Sequence, residues 1–515
     1  MAVSLRSPPV LQASLATRFR LEGELGRRLA ACTEQWILPT PLANPAILEM
    51  FRDRDRQPYR QQVPWAGEFA GKYLTHMVQI YRLTREPRLR EQAAWFVGEL
   101  CALQAEDGYL GPWPKDWRLK KGAPTCGEPW DAWGHYHAML GLLLWHDETG
   151  DERAMACCRR IGDLFCTRFL TGSESLHDAG AHEMNQAPVH ALAMLYQRTG
   201  EGRYLAMAEK IVAEFAKPPA GDYLQGPLRG LAFHELPKPR WESLHPIMGL
   251  SELYTLTGKA DYRTAFTKLW WDMAAGDRHN NGGFTSGEKA TGNPYDRGAI
   301  ETCCTVAWLA MSVEMLKLTG DAIVADELEL AIWNSGLGMM SPSGRWVTYD
   351  TPMEGDRKAS AHSIVFQARA GQPELNCCSV NGPRALGLLS EWALMQQAGG
   401  MVLNYYGPGQ FSAPLPDGSL LTLTQQTDYP RDGQVDLLVQ PAQPCRFALA
   451  LRIPHWSTQT HLALNGLPLP PPPAGQYLTL DRLWQPGDRL SLAFDMRPHY
   501  WVWRASPAAS RDFAT

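Results

Sequence analysis

Five short turn signals interrupt the N-terminal part of this chain, and their spacing constrains the fold more than any other feature. They are Leu83-Thr84-Arg85-Glu86-Pro87, Thr149-Gly150-Asp151, Thr199-Gly200-Glu201, Thr257-Gly258-Lys259 and Thr319-Gly320-Asp321. A helical stripe precedes each, such as Tyr73-Met77-Ile80-Tyr81 or Met194-Leu195-Tyr196. Glycine after such a stripe is the usual left-handed helix end, and helix resumes within a few residues. The threonines lie 65, 50, 58 and 62 residues apart, which leaves room for two helices and one long loop per unit. Five such pairs, with flanking helices near 21–37 and 383–397, make about six αα-hairpins. Closed into a ring they form an (α/α)6 barrel whose inter-helix loops build a pocket at one end. The alternative is an open solenoid, which would repeat more strictly.

The pattern changes near residue 400. Segments 402–406, 419–426, 435–440, 447–453, 461–464, 477–480 and 489–494 alternate apolar and polar residues, with turn signals such as Pro416-Asp417-Gly418 and Pro486-Gly487-Asp488 between them. This predicts a mainly α chain with a β domain: a barrel over 1–397, with residues 1–15 a candidate addition to the sheets, a β-sandwich of about seven strands over 398–500, and a frayed tail over 501–515.

Bulk properties narrow the function. The chain has 515 residues, 45% hydrophobic and 20% charged, with a net charge of −5. No basic run exists to neutralise a phosphate backbone, which argues against nucleic acid as partner. No apolar stretch reads as a signal peptide or a membrane span. Eleven irregularly spaced cysteines suit a reducing, cytoplasmic compartment with free or metal-bound thiols better than a disulfide framework. Nineteen tryptophans and seventeen tyrosines suit a sugar-binding surface, or simply a large core.

Two segments carry candidate chemistry, Ala299-Ile300-Glu301-Thr302-Cys303-Cys304 and Asn376-Cys377-Cys378-Ser379-Val380-Asn381. Together they offer one carboxylate and up to three thiolates, a set suited to tetrahedral Zn²⁺ and, less well, to Fe²⁺. The pair Cys157-Cys158 lies in a helical stretch without an acidic partner motif, and reads as packing. The loop Gly282-Gly283-Phe284-Thr285-Ser286-Gly287-Glu288 delivers one glutamate as a general acid on a rigid loop would, or is a solvated turn.

These residues resemble glycoside hydrolase family 127, the β-L-arabinofuranosidase-like family. The likeness runs over nearly the whole chain. It rests on the Gly-Gly…Gly-Glu loop, Glu301-Thr302-Cys303, Cys377-Cys378-x-x-Asn381-x-x-Arg384, Tyr349 to Glu354, Thr427-Asp428-Tyr429-Pro430 and Leu451-Arg452-Ile453-Pro454-His455-Trp456. The resemblance implies an (α/α)6 barrel followed by β-sandwich material. It implies zinc held by Glu301, Cys303, Cys377 and Cys378, with Cys377 also the nucleophile and Glu288 the acid/base. It places His245 and Tyr349 against the substrate, with His135 or His137, and His182 or Asn185, at other pocket positions. An oligosaccharide or glycoside is the implied partner, and a homodimer is allowed for.

The chain departs from the family pattern in four places. The Glu288–Glu301 interval is short, Ser379-Val380 stands where prolines are common, Trp130-Asp131-Ala132-Trp133 replaces a His-Glu-x-Tyr-like element, and one sandwich is present where relatives often carry a second. The alternatives are an (α/α)6 epimerase or unsaturated-uronide hydrolase with purely structural zinc, or a non-catalytic carbohydrate-binding relative.

Overall fold

The computed structural model describes residues 3–285, 287–354 and 376–498. Its helical part is a double ring. Helix α1 is Gly23–Cys32, followed by five hairpins: α2 Glu68–Thr84 with α3 Pro87–Ala102, α4 Asp131–Thr149 with α5 Glu152–Phe165, α6 Pro188–Thr199 with α7 Gly202–Glu214, α8 Leu244–Thr257 with α9 Ala260–Gly276, and α10 Thr302–Thr319 with α11 Ala322–Ala331. Three short helices complete the turn, α12 Cys377–Asn381, α13 Arg384–Gly387 and α14 Leu389–Trp392. The inner helices pack in the cyclic order α2, α4, α6, α8, α10, α12–α13 and back to α2. The chain is therefore a closed (α/α)6 barrel, not a solenoid.

The five turns share one device. Thr84, Thr149, Thr199, Thr257 and Thr319 each end an inner helix and donate their hydroxyl to the carbonyl four residues back. The same oxygen then accepts the N–H two residues on, at Glu86, Asp151, Glu201, Lys259 and Asp321. In four turns the residue between is a left-handed glycine with φ between 62° and 73°. Arg85 takes that conformation in the fifth, at φ 53°. These tight turns lie at the C-terminal ends of the inner helices. The long connections 103–130, 166–187 and 215–243 gather at the N-terminal ends, as do the described parts of 277–301 and 337–376.

Inner helices are buried on every side, so their polar residues are enclosed by the ring. Gly71 lets α2 and α4 touch; a Cβ there would stand 2.1 Å from the His137 carbonyl carbon. That approach brings the polar face of α2 beside the aromatic start of α4.

Two sheets follow. Strands β1 Gln12–Ala13, β5 Leu394–Gln397, β6 Gly400–Leu403, β10 Cys445–Ile453 and β13 Gln476–Trp484 form one. The other runs β12 Leu467–Pro468, β11 His461–Leu464, β14 Asp488–Ala493, β9 Gln434–Pro441, β8 Leu420–Thr427, β7 Gly409–Pro414, β2 Arg18–Leu21. A two-stranded ribbon, β3 Ile300–Glu301 with β4 Asp350–Thr351, stands apart in the barrel's loops. The helix expected over 383–397 stops at Trp392, and β5 begins two residues later. The left-handed Gly399 lets β5 fold back on β6, and that pairing claims residues an apolar run alone would leave helical. Strand β7 was also not expected, because Gly407-Pro408-Gly409 reads as a turn. The tail over 501–515 lies outside the described residues.

Arg452 ties the sheets to the ring. Its side chain is fully buried, pairs with Asp326 and Glu329 of α11, and donates to the Asn404 carbonyl at 2.7 Å. Tyr429 donates to Glu329 at 2.6 Å, and the His455 N–H donates to Asp326 at 2.8 Å. The motifs around Tyr429 and Arg452 are thus joints between the two parts. No helix among the described residues is long and apolar enough to cross a membrane.

Candidate active site

At the N-terminal end of the ring, Cys303, Cys377 and Cys378 bring their sulfurs within 4.8 Å of one another. Cys377 Sγ and Cys378 Sγ are 3.8 Å apart. Thiolates about 2.3 Å from a shared tetrahedral ion stand about 3.8 Å apart, so this edge already has a metal site's dimensions. Glu301 meets the cluster at one corner, where the Cys378 thiol donates to Oε1 at 3.6 Å. The Cys304 thiol holds Oε2 at 3.1 Å. Glu301 can thus turn one oxygen to the thiols while the other stays anchored. Cys157 and Cys158 are buried away from any such group among the described residues.

Local structure explains the cluster. Asn376 caps α12, accepting the Ser379 N–H at 2.9 Å, while Ser379 Oγ accepts the Asn376 N–H at 2.9 Å. This fixes Cys377 and Cys378 on the first turn. One turn on, Asn381 donates to Cys303 Sγ at 3.7 Å. Cys303 is the second residue of α10, and Glu301 is the last of β3. The Glu301 N–H donates to the Phe284 carbonyl at 2.9 Å, stitching β3 to the glycine loop. Gly282 has φ 78°, and a Cβ on it would sit 2.6 Å from Ala331 Cα. Only glycine lets this loop run so close beneath the strand.

Electrostatics separate the three thiols. Burial alone would raise Cys303, but hydrogen bonds from Cys377 and Cys378, the Lys72 ammonium and Asn381 outweigh it and bring the thiol well below its ordinary value. Cys377 is pushed up, chiefly because its thiol donates to Cys303; Cys378 is pushed up by burial and the same neighbour. Burial, then the charge at Cys303, drives Glu301 well above the carboxylate range. Burial and the neighbouring thiols thus work against more than one thiolate here. Holding several thiolates there calls for a cation, which is what the donor set suits. Cys378 is sealed, whereas Cys303 and Cys377 are partly exposed.

The sequence reading missed Lys72 and Glu68. Lys72 Nζ lies 2.8 Å from Glu68 Oε1 and 3.8 Å from Cys303 Sγ, and Glu68 also accepts the Trp133 indole N–H. Four residues apart on one helix, the pair reads in sequence as a solvated i,i+4 ion pair; only the closed ring makes it internal. Arg240 was missed too. It donates to Glu288 Oε2 at 2.7 Å and Glu242 Oε1 at 2.9 Å, with Glu183 at 3.9 Å. Tyr349 donates to Glu288 Oε1 at 3.1 Å. Burial raises the Tyr349 phenol, followed by the charges at Cys377, Glu301, Cys378 and Glu288, and the Tyr349 carbonyl accepts the Thr302 N–H at 3.0 Å, one residue before Cys303.

The expected histidines divide. His137 and His245 pack edge-on against Trp133, at 4.5 and 4.8 Å between ring centroids, and so belong to this end of the ring. His135 points elsewhere: Nε2 accepts the Leu110 N–H at 3.0 Å and Nδ1 bonds the Asp131 carbonyl at 2.8 Å. Both nitrogens are consumed by backbone, and none is left for a substrate. His182 packs against His177, with the ring centroids 4.2 Å apart and the planes tilted by 47°. Asn185 is spent on Trp133 N, Pro129 O and Gly180 O. In the departing element, Asp131 accepts from Leu119 N and Tyr109, and so holds the 109–119 loop.

Comparison with known proteins places this geometry. Residues 27–391 match the family model described as the beta-L-arabinofuranosidase GH127 catalytic domain, and 400–496 match that of the GH127 middle domain. The chain belongs to glycoside hydrolase family 127. A family relative described as a non-reducing end beta-L-arabinofuranosidase, from Bifidobacterium longum subsp. longum, is 24% identical over 430 residues. That alignment covers 74% of this chain and 63% of the relative's length. Among solved GH127 structures, a beta-L-arabinofuranosidase from Geobacillus stearothermophilus T6 superposes with a TM-score of 0.75 at 21% identity, covering 93% of this chain and 82% of that one. A GH127 beta-arabinofuranosidase gives 0.78 at 20% identity, covering 95% and 81%. These likenesses show a shared fold.

Proposed function

We propose that this protein is an exo-acting, retaining β-L-arabinofuranosidase or related furanosidase, with zinc bound by Glu301, Cys303, Cys377 and Cys378. The observation that carries the reading is Tyr349, whose hydroxyl donates to Glu288 while its carbonyl accepts the N–H of Thr302, the neighbour of Cys303. A carboxyl and a thiol are thus offered to one substrate position. Bound zinc would keep the cysteines deprotonated at neutral pH.

Cys377 is the better nucleophile of the two reachable thiols. Cys303 takes hydrogen bonds from Lys72 and Asn381, which tie up its lone pairs. Cys377 Sγ attacks the anomeric carbon while Glu288 gives its proton to the departing glycosidic oxygen. Glu288 then takes a proton from water, whose oxygen displaces the sulfur. Two inversions leave the configuration retained. Arg240 and Tyr349 hold the Glu288 carboxyl between these steps, and His137 and His245 face the sugar. A cytoplasmic setting and a glycoside partner go with this reading.

The test is a screen of p-nitrophenyl furanosides and pyranosides, with and without a zinc chelator, followed by two variants. Cys377→Ser is expected to abolish turnover. Glu288→Gln is expected to keep residual activity on the activated p-nitrophenol leaving group and lose it on an alkyl glycoside. Near-normal rates in Cys377→Ser, or an inverted first product by NMR, would refute the mechanism.

A further inference from the structure

Two ends of the barrel are joined through one phenol. Tyr136, on α4 beside Trp133, hydrogen-bonds through its hydroxyl to His245 Nδ1 at 2.9 Å and to His190 Nδ1 at 3.1 Å. His245 packs against Trp133 and His137 at the thiol end of the ring. His190, on α6, lines a cavity of about 310 Å³ at the opposite end, among Arg198, Lys317, Arg384 and Glu391. Both histidines are buried, 3% and 4% exposed. The hydrogen bonds that hold the two imidazoles among the described residues are those from Nδ1 to the Tyr136 hydroxyl.

A phenol has one proton. It can donate to one Nδ1 and must accept from the other. Burial keeps both imidazoles neutral, with His190 lowered to about 3 and His245 well below its ordinary value. Two neutral rings on one hydroxyl must therefore be opposite tautomers. After burial, the groups acting most on His190 are the cations Arg384, Lys317 and Arg198, ahead of Glu391. Cations favour a lone pair at its Nε2 and hence the proton at Nδ1, which donates to Tyr136. His245 also feels Arg384 and Lys72, but its imidazole packs edge-on against Trp133 and His137 at the thiol end of the ring, outside that cavity.

We propose that Tyr136 and His190 are positioning residues that fix His245 as its Nε2–H tautomer, a hydrogen-bond donor to a hydroxyl oxygen of the substrate sugar. The proposal rests on the pocket being a sugar site, yet the tautomer can be read without substrate. With one phenolic proton between the two Nδ1 atoms, the proton order on one side dictates the order on the other. The pocket's specificity for a hydroxyl acceptor is set from behind the ring.

The test is long-range ¹H–¹⁵N correlation NMR on the resting, full-length protein carrying ¹⁵N-histidine. Signals are assigned with His245→Asn and His190→Leu. The expected result is a protonated Nε2 on His245 and a protonated Nδ1 on His190. His190→Leu and Tyr136→Phe are each expected to leave His245 as a mixture and to lower kcat/KM roughly tenfold. His190→Asn can place an N–H where Nδ1 was, and should restore both the tautomer and the rate. Equal tautomers in the parent protein, or a His245 signal unmoved in Tyr136→Phe and His190→Leu, overturns the proposal. Should Tyr136→Phe fail to fold, the contrast between His190→Leu and His190→Asn decides alone. An inactive parent with the predicted tautomers refutes the furanosidase reading and leaves the coupling standing.

Discussion

Glu252 lines the rear cavity on α8, half-buried, with Glu314 as its charged neighbour and Lys317 and Arg198 nearby. Burial raises it most, Glu314 adds to that, and the cations offset only part, so the carboxyl is lifted from 4.5 to about 7. The sign follows. Between those values the folded chain holds a proton that the unfolded chain has released, so stability falls as pH rises through this window. At 1.36 kcal/mol per pH unit the full loss is about 3 kcal/mol. Glu252→Gln removes the titration and keeps the shape. Urea unfolding followed by fluorescence at pH 5 and pH 8 isolates the effect. The variant is expected to gain on its parent at pH 8 by most of that 3 kcal/mol relative to any difference at pH 5. An equal shift at both pH values would mean that the cavity hydrates Glu252 well enough to ionise it freely. A loss confined to pH 8 would mean that Lys317 and Arg198 outweigh burial. Either result refutes the reasoning.

Three further outcomes are expected. Cys303→Ser should lose stoichiometric zinc by elemental analysis, and full metal content would exclude Cys303 from the ligand set. Lys72→Met removes the buried charge beside Cys303 and leaves Glu68 without its ion pair; metal affinity, by competition with a chromogenic chelator, should fall roughly 10–100-fold. Arg452→Met leaves Asp326 and Glu329 buried without their shared cation, at a cost of about 3–5 kcal/mol. Denaturant unfolding is expected to show the sheets releasing first, and an unchanged midpoint would count against the joint.

The ring was legible because its punctuation is local. A threonine that bonds four residues back and a glycine that turns left are decided within one turn of helix, so Thr149-Gly150 and its counterparts show in sequence what they do in space. The thiol cluster was legible for a similar reason: α12 is set by its own cap, and Cys377, Cys378 and Asn381 share one short helix. The pocket's other half was not. His135 and His137 are two residues apart on α4, and nothing local says which of them meets the backbone of the 109–119 loop. Glu68 and Lys72 look solvated until the ring closes over them. Strand β5 needs Gly400 and β6 as partners before Leu394 to Gln397 can be anything but the end of a helix.

The motifs that mark the family also divide by place. Cys377 to Arg384 crosses the barrel, with thiols at its start, Asn381 on Cys303, and Arg384 in the rear cavity. Tyr429 and Arg452 instead meet α11 on the outside of the ring, far along the chain from the three clustered thiols. Their polar atoms are taken up by Asp326 and Glu329, so their worth is in fixing the sheets against α11. The same helix passes beneath Gly282, whose loop leads to Glu288. A shift of α11 would therefore reach the acid through backbone contact alone. On this argument Arg452→Met should disturb Glu288 before it disturbs the thiols: turnover of an alkyl glycoside, which needs the acid, should fall more than turnover of a p-nitrophenyl glycoside, while zinc content stays at its parent value.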